Sequence, residues 1–212
     1  RLILPFAFGF RTPEDRAWYE IPYGWLERPG YRPKDGVHCN PDGTWPAIHW
    51  VAAHDAEADV ACAVFNRGVP AHRFRDGVME VSLLRSPRVQ VWVPKSREEN
   101  RALNPLAKDA GTQVYDLAFT SGRGDVAANR LVYRGWAFNS EPVAIALDGA
   151  AMDRLRRKAE RSLPCEHTFV EDPADNVMIG ALKAAEDGDG LIVRLAEVCG
   201  RPAVAAAPDL GE

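Results

Sequence analysis

Short apolar runs, broken at brief intervals by Gly, Pro and acidic residues, dominate the chain. The clearest case is Val177 to Gly200, VMIGALKAAEDGDGLIVRLAEVCG. Val177 to Lys183 is apolar apart from its last residue. Glu186, Asp187, Gly188, Asp189 and Gly190 then make a polar corner whose glycines can take positive φ. Leu191 to Val198 is a second apolar run. Leu191, Val193 and Leu195 share one face of that strand, and Ile192, Ala196 and Val198 share the other. Two apolar faces predict a hairpin covered on both sides, inside a layered β structure. Arg194 and Glu197 interrupt the pattern and point opposite ways, so they cannot pair with each other. Two readings stand: a strand end that reaches solvent, or a buried polar link in which each charge has a partner. An unpaired buried charge is costly. On the second reading Arg194 and Glu197 are structural, and the Arg194 guanidinium is paired inside the domain.

The same period recurs upstream. Arg1 to Phe10 predicts a strand, ended by Thr12, Pro13, Glu14 and Asp15. Ala17 to Glu27 is aromatic-rich, and Pro29 to Pro46 is dense in Gly and Pro and reads as a loop. Asp59 to Phe65 and Val78 to Leu84 are strands; Pro87 then stops pairing. Val89 to Val93 is a short apolar run, and Lys95 to Lys108 is a polar surface loop. Leu131 to Phe138 and Val143 to Leu147 are further strand candidates. One stretch, Ala150 to Leu163, has helical spacing, with Met152, Leu155, Ala159 and Leu163 on one face. The pattern predicts an all-β fold of packed sheets with at most one or two short helices. Residues 1–201 form the domain, and 202–212, rich in Ala and Pro, a partly ordered tail.

Length and charge narrow the function. A chain of 212 residues buries enough surface to need no disulfide staples. The four cysteines, Cys39, Cys62, Cys165 and Cys199, lie far apart with no CxxC pair, and read as reduced and buried. Net charge is −4, from 26 basic and 30 acidic residues, which argues against a nucleic-acid partner. The basic face of the predicted helix (Arg154, Arg156, Arg157, Lys158, Arg161) is either a phosphate patch or a solvated face on an acidic protein. No apolar run approaches the roughly 18 residues of a membrane span. The chain opens on RLILPFAFGF without an initiator Met, which reads as a piece of a longer polypeptide.

Candidate chemistry is sparse. Trp18, Trp25, Trp45 and Trp50 are either a flat platform for sugar rings or packing residues that bury much apolar area. His38, Cys39, His49 and His54 lack zinc spacing, so no metal site is expected from them. The acidic corner is not an EF-hand: with Gly190 at the sixth position, Ala185 and Ala196 fall where ligands are needed. There is no P-loop, GxGxxG, HExxH or GxSxG.

Several segments together resemble the C-terminal β domain of α-mannosidases of glycoside hydrolase family 38. In the last hairpin Ala181, Leu182, Lys183, Glu186, Asp187, Gly190, Arg194, Leu195, Glu197 and Gly200 fall in place; Ala196 stands where that family often has an aromatic residue. VSLLRSP resembles a second motif, Pro22-Tyr23-Gly24 an early one, and Asp109-x-Gly111 a turn, with Gln113 where His is frequent. The resemblance implies a galactose-mutarotase-like β-sandwich (supersandwich). It implies a parent enzyme that hydrolyses terminal α-mannosides with retention, using zinc and two carboxylates. Those groups sit in the N-terminal part, and this part packs against the N-terminal barrel and helical domains of the same polypeptide. The zinc-binding His-x-Asp element of the family is absent here, so no catalytic residue is expected in this chain. Tyr23 and Arg85 are the candidates for the rim of the substrate site. From its place at a strand end Arg85 reads equally as a solvated residue or as one that caps carbonyls or holds a carboxylate from another layer. A free-standing carbohydrate-binding module using the tryptophans is the alternative function.

Overall fold

The computed structural model describes residues 2–30, 43–84, 111–158, 166 and 174–205. The chain forms two compact units, Arg1–Asn139 and Ser140–Glu212. The first is a β-sandwich. One antiparallel sheet contains β1 (Leu2–Ala7), β4 (Trp45–Pro46), β7 (Ala71–Arg75) and β8 (Val78–Leu84), in the order β1-β8-β7-β4. The other contains β2 (Ala17–Ile21), β3 (Gly24–Arg28), β5 (Trp50–Asp55), β6 (Val60–Asn66) and β9 (Leu117–Arg123), in the order β3-β2-β5-β6-β9. Ala17, Tyr19, Val51, Ala53, Cys62 and Val64 of the second sheet meet Phe74, Met79 and Val81 of the first in one core. The alternation of each strand aims these side chains inward and their neighbours outward. Pro5 sits within β1 opposite Glu80. β1 is an outer strand of its sheet among the described residues, and an outer strand tolerates a missing backbone donor.

Two apolar stretches differ from expectation. Leu131–Asn139 is a helix, α1, not a strand. Leu131, Val132 and Gly135 are buried, a set that repeats with helical period, and the outward face of β5 and β6 supplies the surface they pack on. Val143 to Leu147 forms no strand, and Val143, Ile145 and Leu147 are exposed. The predicted helix is present as α2 (Gly149–Lys158), and its remaining predicted residues lie outside those described. The fold is all-β with two short helices, as the pattern of short strands implied. Among the described residues, no helix is long and apolar enough to cross a membrane.

In the second unit β10 (Val177–Ala184) and β11 (Leu191–Glu197) form the expected hairpin, with a bulge between Ile179 and Ala181. Gly188 and Gly190 take φ of 79° and 96° in the corner, where a side chain would strain the backbone. Among the described residues nothing covers the hairpin's outer half. Among the described residues its sheet has two strands, and Leu182, Leu191 and Ile192 are exposed. Only the base is buried, at Val177, Met178 and Val198. Arg194 is exposed and has no ion pair among the described residues, contrary to the buried partner expected for it. A two-stranded sheet lets the guanidinium reach water, so the penalty for an unpaired buried charge does not arise.

Glu197 is engaged instead by its own turn. Its Oε1 accepts hydrogen bonds from Asn176 Nδ2 (3.0 Å) and the Cys199 amide (2.7 Å), and its Oε2 from the Gly200 amide (2.8 Å). Asn176 Nδ2 also donates to the Arg201 carbonyl at 3.0 Å. Partial burial works against the charged form. The amides of Cys199, Arg201 and Gly200 and the Asn176 side chain outweigh it and hold the carboxyl below its ordinary range.

Candidate functional site

The outward face of the five-stranded sheet carries a dense cluster of aromatic and ionisable side chains among the described residues of the first unit. β2 and β3 pair Trp18 with Glu27 and Glu20 with Trp25, and β5 brings Ala52 beside Trp18. Trp18, Glu20, Trp25 and Trp50 thus project to the same side. α1 lies over part of this face. Gly135 permits the approach: a Cβ there would lie 2.6 Å from Trp50 Cδ1 and 3.3 Å from His49 Cβ. The C-terminal end of α1 is tied down by the β6–β7 turn. Arg67 donates to the Phe138 carbonyl at 2.6 Å, and Asn139 Nδ2 donates to the Asn66 carbonyl at 3.1 Å.

Glu20 is the centre of the cluster. Its residue is 3% exposed. The amide of His49 donates to Oε2 at 2.5 Å, and His49 Nδ1 lies 3.1 Å from Oε2 and 3.3 Å from Oε1. Burial raises the Glu20 carboxyl above its ordinary range, and the charge and hydrogen bonds of His49 oppose that rise. The His49 ring meets Trp136 of α1 edge-on at 5.6 Å. Tyr23, in the turn between β2 and β3, stacks on the same indole at 6.3 Å and 26°. Tyr23 has φ of 58°, a strained region for an aromatic residue. Beside Glu20 a cavity of about 430 Å³ opens, lined mainly by Ile21, Pro22, Pro46, Ile48 and Pro70.

Replacing Glu20 separates charge from hydrogen bonding. Glu20→Ala leaves the His49 amide and ring without their acceptor, at a cost of about 2–3 kcal/mol. Glu20→Gln keeps an acceptor and removes a carboxylate whose ionisation burial opposes. Because the folded pKa is raised, ionisation of Glu20 erodes stability as pH rises through its unfolded and then its folded pKa. Urea melts at pH 8 should therefore show Glu20→Ala strongly destabilised and Glu20→Gln close to the parent. Equal losses in both would show that the charge itself holds His49.

The tryptophans do not form a single platform. Trp50 is 0% exposed and offers no face to a sugar. Trp25 packs on it at 6.1 Å. Trp18 lies edge-on to His54 at 6.3 Å. Trp45 belongs to the other sheet, where its Nε1 donates to the Pro29 carbonyl at 2.8 Å and Arg28 covers its ring at 4.8 Å. Of the sequence candidates, Tyr23, Trp25 and Trp50 lie at the Glu20 cluster; Arg85 lies outside the described residues. His49 and His54 pair separately, with Glu20 and, at 3.3 Å, with Asp59. Among the described residues no three His, Cys, Asp or Glu side chains converge on one point; His38 and Cys39 lie outside them. Sequence reasoning missed Glu20 and Trp136, and weighed His49 only as a metal ligand. The signal for Glu20 was present as the sole charge in AWYEI, whereas Trp136 lay in a stretch read as a strand.

No protein-family model matches the chain, and no curated protein matches it. Among solved structures, an α-mannosidase from Enterococcus faecalis V583 is similar over 91% of this chain, with a TM-score of 0.68 and 18% sequence identity. The chain spans 20% of the length of that protein. At this identity the likeness is one of fold: the chain has an all-β sandwich architecture that also occurs within an α-mannosidase.

Proposed function

We propose that this chain is the non-catalytic C-terminal β-sandwich part of a zinc-dependent, retaining α-mannosidase of the family 38 type. The observation that carries the reading is the fold likeness to a solved α-mannosidase, over nine-tenths of this chain and one-fifth of that protein. The hairpin and LLRSP segments support it from the sequence side. In this reading the parent hydrolyses terminal α-mannosides. The chain packs against the N-terminal barrel and helical domains of its own polypeptide and supports them. Retaining hydrolysis needs two carboxylates about 5 Å apart around the sugar. Zinc needs three or four converging donors. Among the described residues His49 and His54 each meet a single carboxylate and His72 is buried beside Asn66, so no zinc cage is formed by them, and both groups are assigned to the rest of the enzyme.

The exposed apolar side chains of the β10–β11 hairpin agree with a part that works within a larger protein. The test is an aryl α-mannoside assay, with zinc added and then chelated. The chain alone should show no turnover, and the longer polypeptide that contains it should show zinc-dependent turnover. Zinc-dependent turnover by the chain alone, above a boiled control, would overturn the non-catalytic role. A longer polypeptide inert toward α-mannosides would overturn the assignment to a mannosidase.

A further inference from the structure

We infer that Tyr23, Trp136 and His49 form a shallow binding site for a single pyranose ring. Tyr23 and His49 contact the same indole, at 6.3 and 5.6 Å from its centroid. One face of the Tyr23 ring is taken up by Trp136, yet the residue is 39% exposed. It therefore presents a one-sided aromatic surface to solvent, on a tight turn held at positive φ. A saturated ring with one apolar face and a hydroxylated rim matches such a surface.

The polar half of the site is His49. Its Nδ1 lies within hydrogen-bond reach of the buried Glu20 carboxyl, which fixes the ring orientation. Nε2 is then the ring nitrogen left for a ligand, and no described residue pairs with it. A sugar hydroxyl can bond to it as donor or as acceptor. Glu20 is shielded by His49 and has its oxygens engaged, so it supplies orientation and not an open anionic pole. The site stands apart from the mannosidase reading: it needs neither zinc nor a second domain.

The chain itself is the test material, with mannose, glucose and galactose as probes and adenosine as the flat comparator. Saturation-transfer NMR on the ligand protons and indole fluorescence read binding. At least one monosaccharide should bind in the millimolar range, as suits so small a contact. Tyr23→Asn tolerates positive φ and should weaken that binding about tenfold, the effect of losing one stacking contact. Tyr23→Phe keeps the stacking face and should stay within about twofold of the parent. Trp18→Ala, elsewhere on the same sheet face, should leave binding unchanged. No transfer to any of the three sugars would overturn the inference. So would binding indifferent to Tyr23→Asn, or adenosine bound more tightly than every sugar.

Discussion

Lowering the pH from 7 to 4 should cost the β-sandwich about 3 kcal/mol through His72 alone. His72 lies on β7, 0% exposed, paired across the strands with Trp45 and Val81. Its Nε2 is 3.5 Å from Asn66 Nδ2. Burial pushes the ring down to about 4 from an ordinary value of 6.5, opposed only by the backbone at Pro70. A depressed histidine binds fewer protons in the folded state than in the unfolded one. Its contribution is therefore complete above the unfolded value of 6.5 and is lost as pH falls from there toward 4. Urea melts across that window should show the loss. His72→Gln, which keeps an acceptor for Asn66 and cannot titrate, should flatten the slope. A variant with the parent's pH slope would assign the acid sensitivity to other groups.

Gly135→Val should loosen α1 from the sheet and cost about 2–3 kcal/mol. Two effects compete at this position. A glycine inside a helix loses roughly 1 kcal/mol relative to alanine, so any side chain gains some helix propensity. Against that, a Cβ would lie 2.6 Å from Trp50 Cδ1, and the indole is enclosed on all sides and cannot step away. Overpacking of a closed site costs about 1–3 kcal/mol. A β-branched residue adds bulk while giving back most of the propensity gain. The readouts are the melting temperature and the near-UV circular dichroism of Trp50. A Gly135→Val variant with both unchanged would mean that α1 stands off the sheet. Gly135→Ala should fall between the two.

Strand positions were legible wherever alternation was clean. Val78 to Leu84 is β8 residue for residue, and the acidic corner before Gly190 closes the hairpin as its two glycines suggest. Local pattern failed where the partner surface decided the outcome. Leu131 to Phe138 carries apolar residues that suit either period, and only the face around Trp50 selects the helix. The β10–β11 hairpin was expected to be covered because both its faces are apolar. Apolarity calls for a covering surface, but the surface need not lie in the same unit. The site was harder to read for a similar reason. Glu20, His49 and Trp136 are brought together by one strand, the loop before another and a helix far along the chain, and no spacing connects them. The tryptophans were conspicuous by type, yet three of them share a face and one does not, which depends on sheet membership and not on number.

The pairing of β1 with β8 joins residues 2–7 to residues 78–84. On a ribosome the first of these strands emerges long before the second is made. At about 5–20 residues per second the wait is on the order of ten seconds. During that interval LILPFA is an extended, apolar run on a nascent chain, the kind of segment that neighbouring chains can zip onto. Pro5 interrupts its row of backbone donors at the centre. The proline that blunts the outer edge of the finished sheet thus also breaks the row that would template aggregation between nascent chains.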